Sequence, residues 1–452
     1  MGWDWDEELG FDRLRRMFYL VAPNETTYVT VDDVPNMFHE ALPWFFVFLL
    51  LEFIASWVSG RKDLFEPSDS LTSIGIGLLD HSVKITLRSA EFRAYCAIYE
   101  CCRLLDLSGQ SHWVWLISFL FVDLGYYFFH RACHESMLLW SVHQLHHSSE
   151  YLNLTTSLRH SFLERYVSMF FYLPSALLVP PNVHLVHLSL GSLFQIWIHT
   201  EVIRNLGPLE WFLVTPSNHR VHHGKNPYCV NKNYGGTLIV WDRLFGTFEP
   251  ERNNEPPVYG LVFPLDTFDQ FLSQFTLIKR CFWDKPRSVK GALNKLKAVI
   301  FVPSWYPGLK YEKYEDVVPK CQFPIVKYEV LIPMWLYCYT ALHMCLCFCG
   351  YLCMCGRSEK YSTFEMLQFT GFVAITLESF GFFYDNRWFA NSVECFRCLF
   401  LYFFLLNQWN TTFFSCWPPV ATNCIFGLSI TLWIFNLLNC YACKPPVENS
   451  RL

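Results

Sequence analysis

Apolar side chains run along this chain in long stretches separated by polar segments, and the first question is which stretches can cross a bilayer. A helix needs about 20 mainly apolar residues to traverse the hydrocarbon core. Residues 42–59 and 112–130 meet that requirement in the first half, and residues 329–354, 364–384, 396–414 and 419–441 meet it in the last third. Residues 167–199 are also apolar but carry Pro174, Pro180 and Pro181. They therefore predict two shorter segments that dip into the membrane without crossing cleanly. Residues 200–325 are polar. The pattern predicts an all-α fold, a polytopic membrane bundle whose polar part forms a cap, with no internal repeat. Three regions follow: an acidic N-terminal segment at 1–41, a mixed membrane and polar region at 42–325, and a hydrophobic transmembrane region at 326–452.

Loop charge predicts the orientation. The first 40 residues hold nine acidic side chains and three Arg, whereas Arg61 and Lys62 follow the first span at once and residues 200–325 carry sixteen Lys and Arg. The N-terminus is expected in the lumen and the cap in the cytosol. The acceptor triplet at Asn24 suits the lumenal side, while that at Asn153 would face the cytosol unused, and a third at Asn410 lies at the edge of a span. No secretory signal is expected, since the start of the chain lacks a basic segment followed by an apolar run. The terminal Ser450, Arg451 and Leu452 resemble a peroxisomal address, which is read on soluble cargo.

Composition adds exclusions. A hydrophobic fraction of 52% against 17% charged, with mean hydropathy +0.19, argues against a soluble or a disordered chain. A net charge of -5 leaves no basic surplus of the kind that tracks phosphates, so nucleic acid is not the expected partner. Of the nineteen cysteines, six lie between Cys338 and Cys355 in one apolar stretch and read as small polarizable core residues. The pairs Cys395/Cys398 and Cys440/Cys443 lack a second pair at zinc-ribbon distance.

Chemistry concentrates in the histidines. Fifteen of the sixteen precede residue 224, and eight form three tight groups: His130 and His134; His143, His146 and His147; His219, His222 and His223. Spacings of three and four place side chains on one helical face, so three helices could aim imidazoles at one centre. Imidazole is the commonest biological metal ligand, and eight exceed what one ion needs, so the count predicts two metal ions with positions left open. His199, one turn after Gln195, is open to ligation or to an outer contact. His184 and His187 read as structural, and His39, His81, His112 and His343 stand alone.

Among the acids, Asp123 lies seven residues before His130 on the same helical face. A carboxylate inside hydrocarbon costs about 2.5–3.5 kcal/mol, so it needs an interior partner, either a ligand imidazole or a Tyr126 or Tyr127 hydroxyl. Glu135 and Glu150 adjoin the first two groups. Arg159 and His160 could hold a headgroup or a cofactor oxygen, or Arg159 could snorkel to the interface. Gly235 and Gly236 allow close backbone approach in a loop beneath the site.

The three histidine groups, together with the tract Asn226–Phe248, resemble the fatty acid hydroxylase and sterol desaturase superfamily of membrane non-haem di-iron oxygenases. The string from His130 to Ser161 is most similar to its ether-lipid-cleaving, tetrahydrobiopterin-dependent members. The resemblance spans roughly residues 40–250. It implies ligation of two Fe2+ ions by His130, His134, His143, His146, His147, His219, His222 and His223, and a required acid at Glu135; Gln195 departs from members with a histidine there, which leaves His199 open. It also implies O2 and tetrahydrobiopterin as co-substrates, a membrane ether lipid as substrate and an endoplasmic reticulum location. Sterol or fatty acyl oxidation within the same superfamily is the nearest alternative, and a histidine-lined metal transporter a remoter one. The last third could pack on the catalytic helices, form a homo-oligomer or admit lipid.

Overall fold

The computed structural model describes residues 10–309, 316–356, 358–408 and 419–442. The acceptor triplet at Asn410, Cys443 and the C-terminal tripeptide lie outside the described residues. Among those described, regular structure is helical, and pairing between extended segments is confined to the isolated bridges Leu213 to Leu238 and Gly224 to Tyr259. Five helices are long and apolar enough to cross a membrane: Met37–Val58, His112–Glu135, Met334–Gly356, Thr363–Tyr384 and the Val420–Leu438 part of a longer helix. The chain is a multi-pass membrane protein.

The chain divides into two compact units, one made of Met1–Ile76, Ser89–Asp266 and Ser273–Tyr328, the other of Gly77–Arg88, Thr267–Leu272 and Glu329–Leu452. In the first, α1 (Phe11–Met17) and α2 (Met37–Val58) precede α3 (Pro67–Thr86), whose second half is assigned to the other unit. Then come α4 (Ala90–Cys102), α5 (His112–Glu135), α6 (Met137–His143), α7 (Glu164–Tyr172) and α8 (Pro181–Trp197). The polar region holds α9 (Pro216–His223), α10 (Val240–Phe245), α11 (Gln270–Lys279) and α12 (Ala292–Ile300). The second unit is built on α13 (Met334–Gly356), α14 (Thr363–Tyr384), α15 (Ala390–Gln408) and α16 (Pro419–Ala442).

The proline-broken stretch divides as its sequence predicts. Helix α7 ends at Tyr172, a 3-10 turn spans Leu173–Leu177, and α8 restarts with Pro181 in its first turn, where a missing N–H costs nothing. Val183, Val186, Leu190 and Leu193 of α8 pack with Met37, Ala41 and Phe45 of α2 and with Trp115 of α5, which anchors the histidine-bearing helix against its neighbours.

Helices α3 and α4 are among those with no counterpart in the hydropathy pattern. Helix α3 buries Ser68, Asp69, Thr72, Ser73, Asp80 and Ser82, so its interior face is polar and sends no apolar signal. The burial is tolerated because partners are at hand: Arg159 donates to Ser73 Oγ at 3.0 Å and to Asp69 Oδ1 at 2.7 Å. Helix α4 is short and places only Tyr95 in full burial.

The second unit contains a buried polar network inside its apolar helices. Arg397 pairs with Glu394 at 2.5 Å, donates to Thr376 Oγ1 at 2.9 Å and contacts His343 Nδ1 at 3.2 Å. Ser379 donates to the same carboxylate at 2.6 Å, and His343 Nε2 meets Ser429 Oγ at 3.1 Å. His343 is therefore part of a structural network, as its isolation in the sequence suggests.

Candidate metal centre

Local signals place each imidazole. Ser111 caps α5, its Oγ accepting the Val114 N–H at 3.5 Å, and the helix runs on to bury His130 and His134 near its end. The extended backbone of Ser136 stops it, and α6 follows directly to deliver His143. His146 and His147 then sit on a separate 3-10 turn, His146–Ser148, rather than continuing the helix. Helix α9 starts at Thr215–Pro216, where Asn218 Oδ1 accepts the Thr215 N–H at 3.2 Å, and its eight residues carry His219, His222 and His223.

These rings do not aim at one point; they form two adjoining sets. His130, His134, His143, His147 and His222 make one, His146, His199, His219 and His223 the other, and in each set the candidate ligand nitrogens lie within 4.8 Å of one another. Neighbours in sequence part company: His146 and His147 join different sets, as do His222 and His223. The sets abut, with the His147 and His223 rings stacked at 4.5 Å. His199 belongs spatially with the second set, its Nε2 lying 3.2 Å from His146 Nε2 and 2.9 Å from that of His219.

Ring orientation is set from outside. The Nδ1 atoms of His130, His222 and His199 lie 2.8, 2.9 and 2.6 Å from the carbonyls of Tyr234, Lys232 and Gln195. Because the Gln195 contact uses its backbone, the side chain at that position is immaterial to holding His199. Each such Nδ1–H donates outward and leaves the Nε2 lone pair facing in. The Nε2 atoms of His130, His134 and His222 are buried without a hydrogen-bond partner. An orphaned buried polar atom costs about 1–3 kcal/mol, so three together fit a site built to hold a cation. Burial depresses the pKa of His199 and His222 to about 3, and burial with neighbouring imidazoles holds His146, His147, His219 and His223 well below the usual range. Those shifts favour the neutral form of these six rings, the form that ligates. An all-imidazole donor set in two adjoining groups fits transition-metal ions such as iron.

The acids are placed differently from expectation. Asp123 meets neither an imidazole nor a tyrosine hydroxyl in the observed bonds: it accepts the N–H of Thr237 at 2.9 Å, the N–H of Leu238 at 3.1 Å and Trp241 Nε1 at 2.8 Å. A folded-back loop offers more donors to a buried carboxylate than a single ring could. Asp123 thus pins the loop whose Tyr234 carbonyl holds His130. Asp242 supports the same loop, accepting the N–H groups of Tyr234 and Gly235 at 2.7 Å each, with burial raising its pKa to about 6 against those bonds. Gly235 and Gly236 are needed for close approach: a Cβ on Gly235 would stand 2.6 Å from the Leu238 carbonyl, one on Gly236 2.7 Å from the Tyr126 ring.

Glu135 is half exposed and bonded to Arg131 at 2.9 Å, beside the first set but turned toward a cation. Glu150 accepts the Tyr328 N–H at 2.5 Å and ties two loops together. Arg159 is buried with its nitrogens engaged by Ser73, Ser148 and Asp69, so it holds no headgroup and does not snorkel. Asn153 is likewise buried, donating to the Leu64 carbonyl at 3.0 Å, which removes it as a glycosylation acceptor. His184 stacks on Tyr95 at 3.8 Å, and His187 bridges the Tyr19 hydroxyl and the Trp115 carbonyl.

Besides Asp242, two further acids at the site escaped the sequence reading. Glu164 on α7 accepts from His143 Nδ1 at 2.8 Å and from His160 Nδ1 at 3.0 Å. Burial opposes its ionisation, but those two imidazoles hold its pKa well below the usual carboxylate range. It orients His143 directly and, through His160 stacked on His146 at 4.5 Å, reaches the second set. Glu52 on α2 accepts the Leu154 N–H at 2.9 Å and the Thr200 hydroxyl, securing the residue next to His199. Only the rarity of an acid inside an apolar run could have drawn attention to Glu52, and nothing in the spacing marks Glu164.

Buried imidazoles gathered into two metal-ready sets, two of them at the end of a candidate membrane span, define a histidine-rich membrane oxygenase, and comparison with known proteins gives the same class. The fatty acid hydroxylase family matches residues 115–247. The alkylglycerol monooxygenase C-terminal domain matches residues 336–417. The chain is 42% identical over 402 residues to the alkylglycerol monooxygenase of Xenopus tropicalis, covering 88% of this chain and 89% of that one. It is 42% identical over 388 residues to that of Homo sapiens, covering 85% and 86%, and 36% identical to that of Caenorhabditis elegans, covering 87% and 81%. No solved structure matches. The chain belongs to the alkylglycerol monooxygenase family.

Proposed function

We propose that this enzyme hydroxylates the alkyl carbon next to the ether oxygen of 1-O-alkylglycerols, including lyso-alkyl phospholipids, and so cleaves the ether bond. Insertion of one oxygen atom into that C–H bond gives a hemiacetal, which breaks its C–O bond to release a fatty aldehyde and a glycerol derivative. The second oxygen atom of O2 leaves as water, with two electrons supplied by tetrahydrobiopterin. His130, His134, His143, His147 and His222 would hold one Fe2+ ion and His146, His199, His219 and His223 the other. Iron bound there supplies reductive activation of dioxygen, which acid and base side chains alone do not provide.

The chain's own residues contribute orientation. The Tyr234, Lys232 and Gln195 carbonyls and the Glu164 carboxylate fix ring tautomers, while Asp123, Asp242 and Glu52 brace the loops that carry them. Near-complete burial of the nine rings keeps water from the reacting atoms. Glu135, half exposed beside the first set, is placed to meet the polar part of a lipid or the reductant. We place the protein in the endoplasmic reticulum membrane with these histidines facing the cytosol, on the loop-charge asymmetry and the family resemblance. The division at residues 1–41, 42–325 and 326–452 is supported by family matches that fall within the second and third regions.

The observation that carries this reading is the convergence of nine imidazoles into two sets in a chain of this family. Purified full-length protein loaded with iron is expected to form fatty aldehyde from 1-O-alkylglycerol only with tetrahydrobiopterin and O2, and none of the corresponding product from a sterol. Aldehyde formation independent of the pterin, or turnover of sterol in its place, contradicts it.

A further inference from the structure

Residues 279–301 combine features that neither the fold nor the proposed chemistry uses. Between Lys279 and Lys297 the chain carries seven basic residues and one acidic residue. Asp284 is bonded to Lys279, and among the described residues Lys290, Lys295 and Lys297 have no acidic partner. The same segment exposes large apolar groups: Phe282 and Trp283 are each more than half exposed, and on α12 Leu293, Leu296 and Ile300 are 63%, 56% and 47% exposed. Those three lie at spacings of three and four, hence on one face, while Ala298 turns inward and is fully buried. Gly291, at φ 89°, sets the turn into the helix. Lys285 secures the far end by donating to the Val302 and Pro303 carbonyls at 3.1 and 2.7 Å, so the outward face is held and is not a loose loop.

At nine residues α12 is too short to cross the hydrocarbon core, which takes about 20. An apolar ridge on a short, basic helix suits the boundary between headgroups and acyl chains. Cations and aromatic rings are interleaved in the segment: the Arg287 guanidinium lies 3.6 Å from the Trp283 ring centroid and the Lys297 amine 5.9 Å from that of Phe301. We propose that residues 279–301 form a membrane-surface element that binds anionic phospholipid headgroups, with Leu293, Leu296, Ile300, Phe282 and Trp283 inserted and Lys290, Lys295 and Lys297 on the phosphates.

The test uses full-length protein in nanodiscs of phosphatidylcholine alone or of phosphatidylcholine with phosphatidylserine, read by amide hydrogen exchange over residues 292–300. Phosphatidylserine is expected to slow exchange at least about tenfold, as three lysines near an anionic surface would give, and high salt to reverse the gain. Replacing Lys290, Lys295 and Lys297 together by Glu removes the phosphatidylserine effect while leaving exchange in phosphatidylcholine unchanged; if that variant fails to fold, the triple Gln variant is read instead. Equal exchange in the two disc types, or a phosphatidylserine effect that survives loss of the three charges, overturns the proposal. Slowing seen only in discs holding two copies of the chain also overturns it, since a second copy would then cover the ridge.

Discussion

A histidine four residues from another is a common accident of helices, and the residues here acquire meaning through what holds each ring. His146 and His147 are adjacent, yet the 3-10 turn that carries them sends one to each set. The division yields a prediction about stoichiometry. His199→Ala is expected to cost one metal ion per chain and leave the set around His222 loaded, and His222→Ala the reverse, with each abolishing aldehyde formation. Metal analysis of the purified variants decides it, and loss of both ions or of neither from the single replacements contradicts the two-set arrangement. The histidine groups were legible in the sequence because ligands recur at helical spacing. Glu164 was not, because its link to His143 bridges 21 residues with no intervening pattern.

At the scale of elements, the histidine-bearing end of α5 is stabilised by a loop from distant sequence. Asp123 receives three donors from residues 237–241, and the loop returns the favour through the Tyr234 carbonyl on His130. Asp123→Asn keeps the shape but turns an amide donor toward other donors. It is expected to destabilise the protein by about 2 kcal/mol and to weaken metal retention, measured by thermal unfolding and by metal content after chelator challenge. An unchanged melting temperature would show that the loop is held without this carboxylate. The sequence marked Asp123 as an acid in need of a partner but named the wrong partners, since side-chain periodicity within one helix says nothing about a loop more than a hundred residues away. Helix α3 was missed for a related reason: its buried face is polar, and its partner Arg159 lies outside the helix.

For the molecule as a whole, the apolar helices of the second unit need a reason to pack, because lipid tails solvate their side chains as well as neighbouring helices do. The Glu394–Arg397 pair and its bonds to Thr376, Ser379 and His343 supply one, since none of those groups has a partner in lipid. Arg397→Met leaves a buried carboxylate unpaired and is expected to cost about 3–5 kcal/mol in denaturing-detergent titration of the full-length protein. Adding Glu394→Leu should recover most of that loss. A double variant no more stable than the single one would place the importance of the pair in packing volume instead of charge.

The sequence by itself determined the helical membrane class, the positions of five of the six expected spans (396–414 is not among the candidate spans of the described residues), the break at the prolines and the three histidine groups, because hydropathy and helical spacing are local properties that a linear string records. Tertiary structure alone decided how nine rings are divided between two sets, which carbonyl or carboxylate fixes each tautomer, and that Arg159 is a buried strut. Those outcomes depend on contacts between segments far apart in the chain, and such contacts exist only once the helices have packed.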